Sequence, residues 1–264
     1  MIQNAFRFRT EERQLYMPKE GVFTYYQESI YPINYSKKIT CSSTRKLCIE
    51  ILFDEDQPYV RLVNISIENH ELNFSDGSYA MKDILKRVTS IYDKIQLRVS
   101  YKGVIVGIDN LEELQDKWKE QKEFIQQHYK GEQVQRYIHK TEYLIHSETD
   151  SIDYLLEYQH LGGVLKSLCH QYSTDHSILI TQPLITKYGK VMIDEEVLLQ
   201  PIDDTEKIQL TLSASYPQEK EYLTIDAMYD FCEKENSWIE KAEITVLEKY
   251  GREEYQSSFR IKQI

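Results

Sequence analysis

The clearest pattern of apolar and polar positions lies between residues 95 and 130. Ile95, Leu97 and Val99 alternate with polar side chains, as do Val106 and Ile108 beyond Lys102 and Gly103. With Lys102 and Gly103 as a two-residue turn, Tyr101 pairs with Val104, Val99 with Val106 and Leu97 with Ile108, and one face of the hairpin is apolar. The other face carries Gln96, Arg98, Ser100, Ile105, Gly107 and Asp109, which predicts a sheet covered on one side and wet on the other. Asn110 is placed to cap a helix with Glu113 at its third position. Leu111, Leu114, Trp118, Ile125 and Tyr129 make one stripe along that helix before Gly131 ends it.

On either side the beat changes. Residues 22–29, 38–53 and 59–68 are rich in β-branched and aromatic side chains and are separated by Pro32 and by the turn ending at Pro58, predicting three strands. Leu47, Ile49, Ile51 and Phe53 alternate onto one side. Met81, Ile84, Leu85, Val88, Ile91 and Tyr92 are spaced by threes and fours, which predicts a short amphipathic helix. Helical spacing resumes over 132–145, 150–161 and 164–172, interrupted at 146–149 and by Gly162 and Gly163. From His176 the period returns to two. Ile208, Leu210, Leu212, Ala214 and Tyr216 share one parity, as do Leu223, Ile225, Ala227, Tyr229 and Phe231. Lys187 to Lys190 and Lys249 to Arg252 predict hairpin tips, the second aligning Val246 with Tyr255 and Ala242 with Phe259.

Strands, a helix, a hairpin, a run of helices and then more hairpins do not alternate as parallel winding would. The expected fold is α+β, with antiparallel β-hairpins in the N- and C-terminal parts packed on a central group of amphipathic helices. Residues 1–20, polar and of mixed charge, are expected to form an N-terminal arm. Residues 21–264 are expected to form one α+β domain, with subdomains 21–175 and 176–264 as the alternative.

Composition narrows the function classes. A net charge of −11 opposes general nucleic-acid binding and anionic membrane surfaces, and suits both solubility and a basic protein partner. The 21 Tyr against 8 Phe and 2 Trp predict half-buried strands whose rings pack while their hydroxyls reach water. Cys41, Cys48, Cys169 and Cys232 are too sparse for a disulfide framework and contain no C-x-x-C pair, so they read as reduced. No apolar run reaches a membrane span and no signal segment is seen, so a cytoplasmic location is expected.

Candidate chemistry is thin. Cys169 and His170 are neighbours, but adjacent helical side chains diverge by about 100° and do not make a dyad. Gly162 and Gly163 lack the Lys and Ser/Thr of a phosphate loop and read as a helix break. His139, Glu142 and His146 share a helix face, yet the two histidines are about 10 Å apart along the axis, too far for one metal ion. Asp194, Glu195, Glu196, Asp203, Asp204 and Glu206 lack the glycine of a calcium loop. They read as a solvated strand end and as the patch where a basic partner would dock. No cofactor, metal or catalytic residue is assigned. The expected function is a non-enzymatic protein-interaction protein of adaptor, chaperone or toxin-neutralising (immunity) type. The alternatives are a carrier holding an apolar small molecule between curved sheet and helices, and an enzyme whose motif is not readable.

Overall fold

The structure is a computed structural model that describes residues 12–14, 20–34, 39–53, 58–77, 79–100, 103–158, 160–165, 171–173, 177–186, 189–201, 207–217, 221–232, 239–250 and 253–264. A short strand, β1 (Glu12–Gln14), precedes a long meander of β2 (Gly21–Asn34), β3 (Ile39–Phe53) and β4 (Val60–Phe74). Helix α1 (Tyr79–Ser90) leads into β5 (Lys94–Ser100) and β6 (Ile105–Ile108). Four helices follow: α2 (Leu111–His128), α3 (Glu132–His146), α4 (Glu148–Leu155) and the single turn α5 (Gly162–Leu165). After β7 (Gln171–Ser173) come β8 (Ile178–Thr186), β9 (Gly189–Pro201), β10 (Lys207–Pro217), β11 (Glu221–Cys232), β12 (Ile239–Tyr250) and β13 (Glu253–Gln263). The fold is mixed and sheet-dominated, and among the described residues every strand pairing is antiparallel.

Eleven strands form one sheet in the order β6-β5-β4-β3-β2-β13-β12-β11-β10-β9-β8. The strands before the helices and those after them meet where β2 pairs with β13. β1 and β7 form a separate pair, so residues 12–14 of the expected arm and residues 171–172 of the expected last helix are strand.

The edge strands β6 and β8 both touch α4, and the Ile108 N–H of β6 donates to Glu148 Oε1 at the start of that helix (2.8 Å). Laid flat, eleven strands would hold their edges about 48 Å apart, while an eight-residue helix is about 12 Å long. The sheet is therefore curled, and α4 bridges its two edges. One hydrophobic cluster joins Ile84, Trp118, Ile145 and Leu155 of the helices to Leu47, Ile65, Leu97, Leu210, Ile225 and Ile244 of the sheet. No described helix is long and apolar enough to cross a membrane.

The inward parity predicted for β3, β10 and β11 is present in Leu47, Ile49, Ile51, Leu210, Leu212, Leu223 and Ile225, which are buried, but Phe53, at the end of β3, is exposed. The details of register differ. In the 95–108 hairpin a bulge pairs Val99 with Ile105, so Ile105 packs against the core while Val104 and Val106 face out; Leu97 does pair with Ile108. Tyr101 and Lys102 lie outside the described residues. The β12–β13 register is shifted by two: Val246 faces Ser257 and Ala242 faces Ile261. A shift of two keeps every side chain on its expected face.

Pro32 does not separate strands but lies within β2. It is tolerated there because the pairing with β13 ends at Ile30 and a bulge follows Pro32 on the β3 side. Asn110 does not cap α2 with its side chain. Its Oδ1 accepts from Gln96 N (2.9 Å) and its Nδ2 donates to Lys94 O (3.1 Å), so the amide continues the pairing of β5. Tyrosine departs from expectation too: Tyr25 and Tyr229 are fully buried, and burial pushes the Tyr25 phenol well up.

Candidate functional site

The strongest convergence of polar groups lies on the inner face of β2, β3 and β4. Gln27 and Ser29 of β2 stand directly opposite Arg45 and Ser43 of β3. On β4 the register jumps from Thr44↔Glu71 to Lys46↔Glu68, leaving Asn69, with φ of 52°, and His70 opposite Arg45. That bulge aims His70 inward.

From the other side Thr89 and Tyr92 arrive at the end of α1, and His160 arrives in the turn between α4 and α5. Together with Arg45 and His70 these three border a hollow of about 10 Å³, the room of about one water molecule. Ile67, Ile95, Leu155 and Leu161 complete its wall.

The hydrogen bonds are specific. Arg45 donates from Nε (3.2 Å) and Nη2 (3.0 Å) to Gln27 Oε1. Gln27 Nε2 then donates to Ser29 Oγ (3.4 Å) and to His160 O (3.3 Å). His70 Nε2 lies 3.0 Å from Ser43 Oγ, and its Nδ1 lies 3.4 Å from Thr89 Oγ1. The Thr89 hydroxyl already donates to Leu85 O (2.9 Å), so its oxygen accepts from Nδ1–H, and Nε2 is left to accept from Ser43. The His160 ring packs against Tyr154, tilted by 40° with ring centroids 3.9 Å apart. Its Nε2 is shut off from solvent without a hydrogen-bond partner among the described residues.

Burial controls the charges. Desolvation lowers the Arg45 guanidinium to about 10, which still leaves it charged at neutral pH. Desolvation, then Arg45 and Lys86, lower the His70 imidazole to about 4. Desolvation, then Arg45, Lys140 and His70, hold His160 well below its ordinary range. Both rings are neutral at pH 7. Asp93 is raised to about 6 by desolvation, against the pull of Lys117, Arg45 and Lys86.

The Ser43–His70 pair has the tautomer of a nucleophile and its base, but little else of that machinery. An imidazole at about 4 is a weak base at pH 7, and the hollow takes nothing larger than a water-sized species. Ser43 also lies within β3, whose neighbours β2 and β4 pair with it on both sides.

The residues singled out from sequence are not brought to this hollow. On β9, Glu195 is fully buried while Asp194 and Glu196 face out, as strand alternation requires. Glu195 raises the Tyr158 phenol by charge and hydrogen bonding, on top of burial. Asp194 accepts from Thr181 Oγ1 (2.6 Å) and Glu196 from the Ser177 hydroxyl. Glu195 thus leaves the predicted surface patch, and Asp203, Asp204 and Glu206 lie outside the described residues, as do Cys169 and His170.

On α3, His139 and His146 are exposed, and Glu142 accepts from Lys122 Nζ (2.6 Å), a bond that lowers its pKa. Gly162 and Gly163 do not break a helix. They begin α5, where a Cβ on Gly162 would meet the Glu157 carbonyl carbon at 2.7 Å and one on Gly163 would meet Ile261 Cδ1 at 2.6 Å. Arg45, His70 and His160 carried no sequence signal, since each is a lone polar residue in an otherwise ordinary run.

A second feature lies on the outer face. Val22 and Ile264 are 65% and 69% exposed, and Leu52 is 38% exposed. Leu52 pairs with Leu62 across β3 and β4, and it sits diagonal to Val22, which faces Glu50. Ile264 N donates to Thr24 O (2.9 Å), two residues from Val22. Tyr26 faces Lys46 on the same side.

No family model and no curated protein matches the sequence. Among solved structures the chain is similar to lipovitellin, in a structure of lipid–protein interactions in lipovitellin, with a TM-score of 0.49 and 11% identity. The match covers 95% of this chain and 25% of that one, so the chain spans about a quarter of the length of its neighbour.

Proposed function

We propose that this protein is a non-enzymatic binding protein whose partner is another protein, engaged on the outer face of the sheet. Residues 21–264 act as one α+β unit in this reading, packed on the helices, with 1–20 as an arm. The observation that carries it is the apolar group Val22, Leu52, Leu62 and Ile264 on the outer face of β2, β3, β4 and the end of the chain. The inner face is occupied by the chain's own helices, so apolar groups placed outside do not serve the core. Asp194 and Glu196 on the outer face of β9 add negative charge, in keeping with a basic partner.

The test is a quantitative pull-down from the native cell extract with the wild-type chain and with Val22→Asp/Leu52→Asp. A stoichiometric partner held by the wild type and lost from the equally folded variant supports the reading. An identical set of proteins on both sinks it.

The carrier reading has one observation in its favour, the curled sheet whose edges meet at α4. The hollow bordered by Arg45 has no room for an apolar ligand. Native mass spectrometry of the purified chain, before and after organic extraction, separates this reading: a released lipid-sized mass favours it, and an unchanged mass removes it.

A further inference from the structure

We propose that the outward edge of β8 is a strand-addition site, taken by an extended segment of a basic partner protein as a twelfth strand of the sheet. The two ends of the sheet are not alike. β6 is four residues long, and its Ile108 N–H already donates to Glu148. β8 is nine residues long and reads Ile-Leu-Ile-Thr-Gln-Pro-Leu-Ile-Thr, without one charged side chain. Edge strands are ordinarily kept short or given charges, so that no other chain pairs with them. β8 has only Pro183 to serve that end.

Pro183 also fixes which groups face outward. It has no N–H to give β9, so its nitrogen points away from that strand. By alternation the N–H and C=O of Leu179 and Thr181 point the same way. Neither residue has a backbone hydrogen bond outside the β8–β9 ladder among the described residues. β8 is about 30 Å long and α4, which touches it, about 12 Å, so most of the edge extends beyond that helix.

The chemistry of the occupant follows from the two faces of β8. On the outer face Leu179 is 66% exposed and stands opposite Glu196, while Thr181 stands opposite Asp194. Both carboxylates are exposed, and the Thr181 and Ser177 hydroxyls hold them in place. An incoming strand lies two strand spacings, about 10 Å, from them, within the combined reach of a carboxylate and a Lys or Arg whose stem is laid over Leu179 or Thr181. On the inner face Ile178 and Ile180 are only half-buried, and apolar residues of the added strand complete their cover. The pattern recognised is thus basic and apolar in alternation. A second copy of the chain fits less well. Each β8 would present its Pro183 to the other, so a donor is lost on both sides, and the −11 charge of each copy repels the other.

The inference rests on the reading of a protein partner, and its test needs no native partner, so the two fail separately. The full chain is titrated into the labelled heptapeptide Val-Lys-Val-Lys-Val-Lys-Val and followed by fluorescence anisotropy, with hydrogen exchange of the wild-type amides read in parallel. Saturable binding is expected, with slower exchange at Leu179 and Thr181. Methylating the peptide's alternate backbone nitrogens on the side that meets β8 should abolish binding, because the donors for strand pairing are gone. Asp194→Asn/Glu196→Gln should weaken it about fivefold at low salt and less at high salt. No saturation, equal binding of the N-methylated peptide, full affinity in that folded variant, or protection confined to another strand each overturns the proposal. Slow exchange at Leu179 and Thr181 in a dimer of the chain without peptide does so too, by making a second copy the occupant.

Discussion

Individual side chains here are constrained by what a neighbour can yield. At Gly162 the atoms a Cβ would strike belong to the backbone of Leu156 and Glu157, whereas at Gly163 they are the flexible ends of Ile261 and Ile244. Gly162→Ala is therefore expected to destabilise by at least the ~3 kcal/mol upper range of overpacking, and Gly163→Ala by about 1–2 kcal/mol. Urea unfolding of the two variants checks the order, and a milder Gly162→Ala would refute the close approach. Asn110 offers a second case. Truncation to Ala strands the Gln96 N–H and the Lys94 C=O, at a cost of about 1–3 kcal/mol, while a lost helix cap would cost about 1 kcal/mol. Asn110→Asp keeps only the acceptor. If the amide serves β5, Asp falls between Asn and Ala in the unfolding midpoint; if it served as a cap, Asp would match Asn.

Elements are legible from period but not from register. The twofold beat of 39–53 and 207–232 and the helical beat of 79–90 and 111–155 each predict the observed element, because burial on one side imposes the same spacing whatever the neighbour. Bulges break that rule, since one extra residue exchanges inside for outside. Val106 faces solvent for this reason and Ile105 packs inward. Val106→Thr should leave the unfolding midpoint within about 0.5 kcal/mol of wild type, while Ile105→Thr should cost more than 1 kcal/mol. The reverse ranking would restore the unbulged hairpin. The same kind of bulge at Asn69 turns His70 toward Arg45, a placement that no period in 60–74 announces.

For the molecule as a whole, the buried basic cluster predicts acid lability. His70 and His160 have lowered folded pKa values, so between about pH 6.5 and 4 the unfolded chain takes up protons that the folded chain refuses. Stability is then lost as pH falls through that window. Asp93 acts in the opposite direction, because its raised pKa lets the folded state bind a proton between about 6 and 3.8. Two histidines against one carboxylate leave a net loss, and the urea midpoint is expected to drop between pH 6.5 and 5. His70→Asn should flatten that slope. A midpoint that is level or rises over this interval would contradict neutral burial of the two rings.

The sequence by itself determined most of the strands and helices and which side of each is apolar, because those properties follow from alternation along the chain; the short β1 and β7 pair, with no such alternation, was not among them. It also set the net charge of −11. Tertiary structure alone decided that the sheet curls until β6 and β8 share α4, and that Glu195 faces inward while Asp194 and Glu196 do not. It likewise gathered Arg45, His70 and His160 from sequence-distant positions around one hollow, with Gln27 bonded to Arg45 and to the His160 carbonyl. Closure and convergence depend on strand order and on single-residue bulges. Neither leaves a periodic trace, so long-range pairing had to place those side chains.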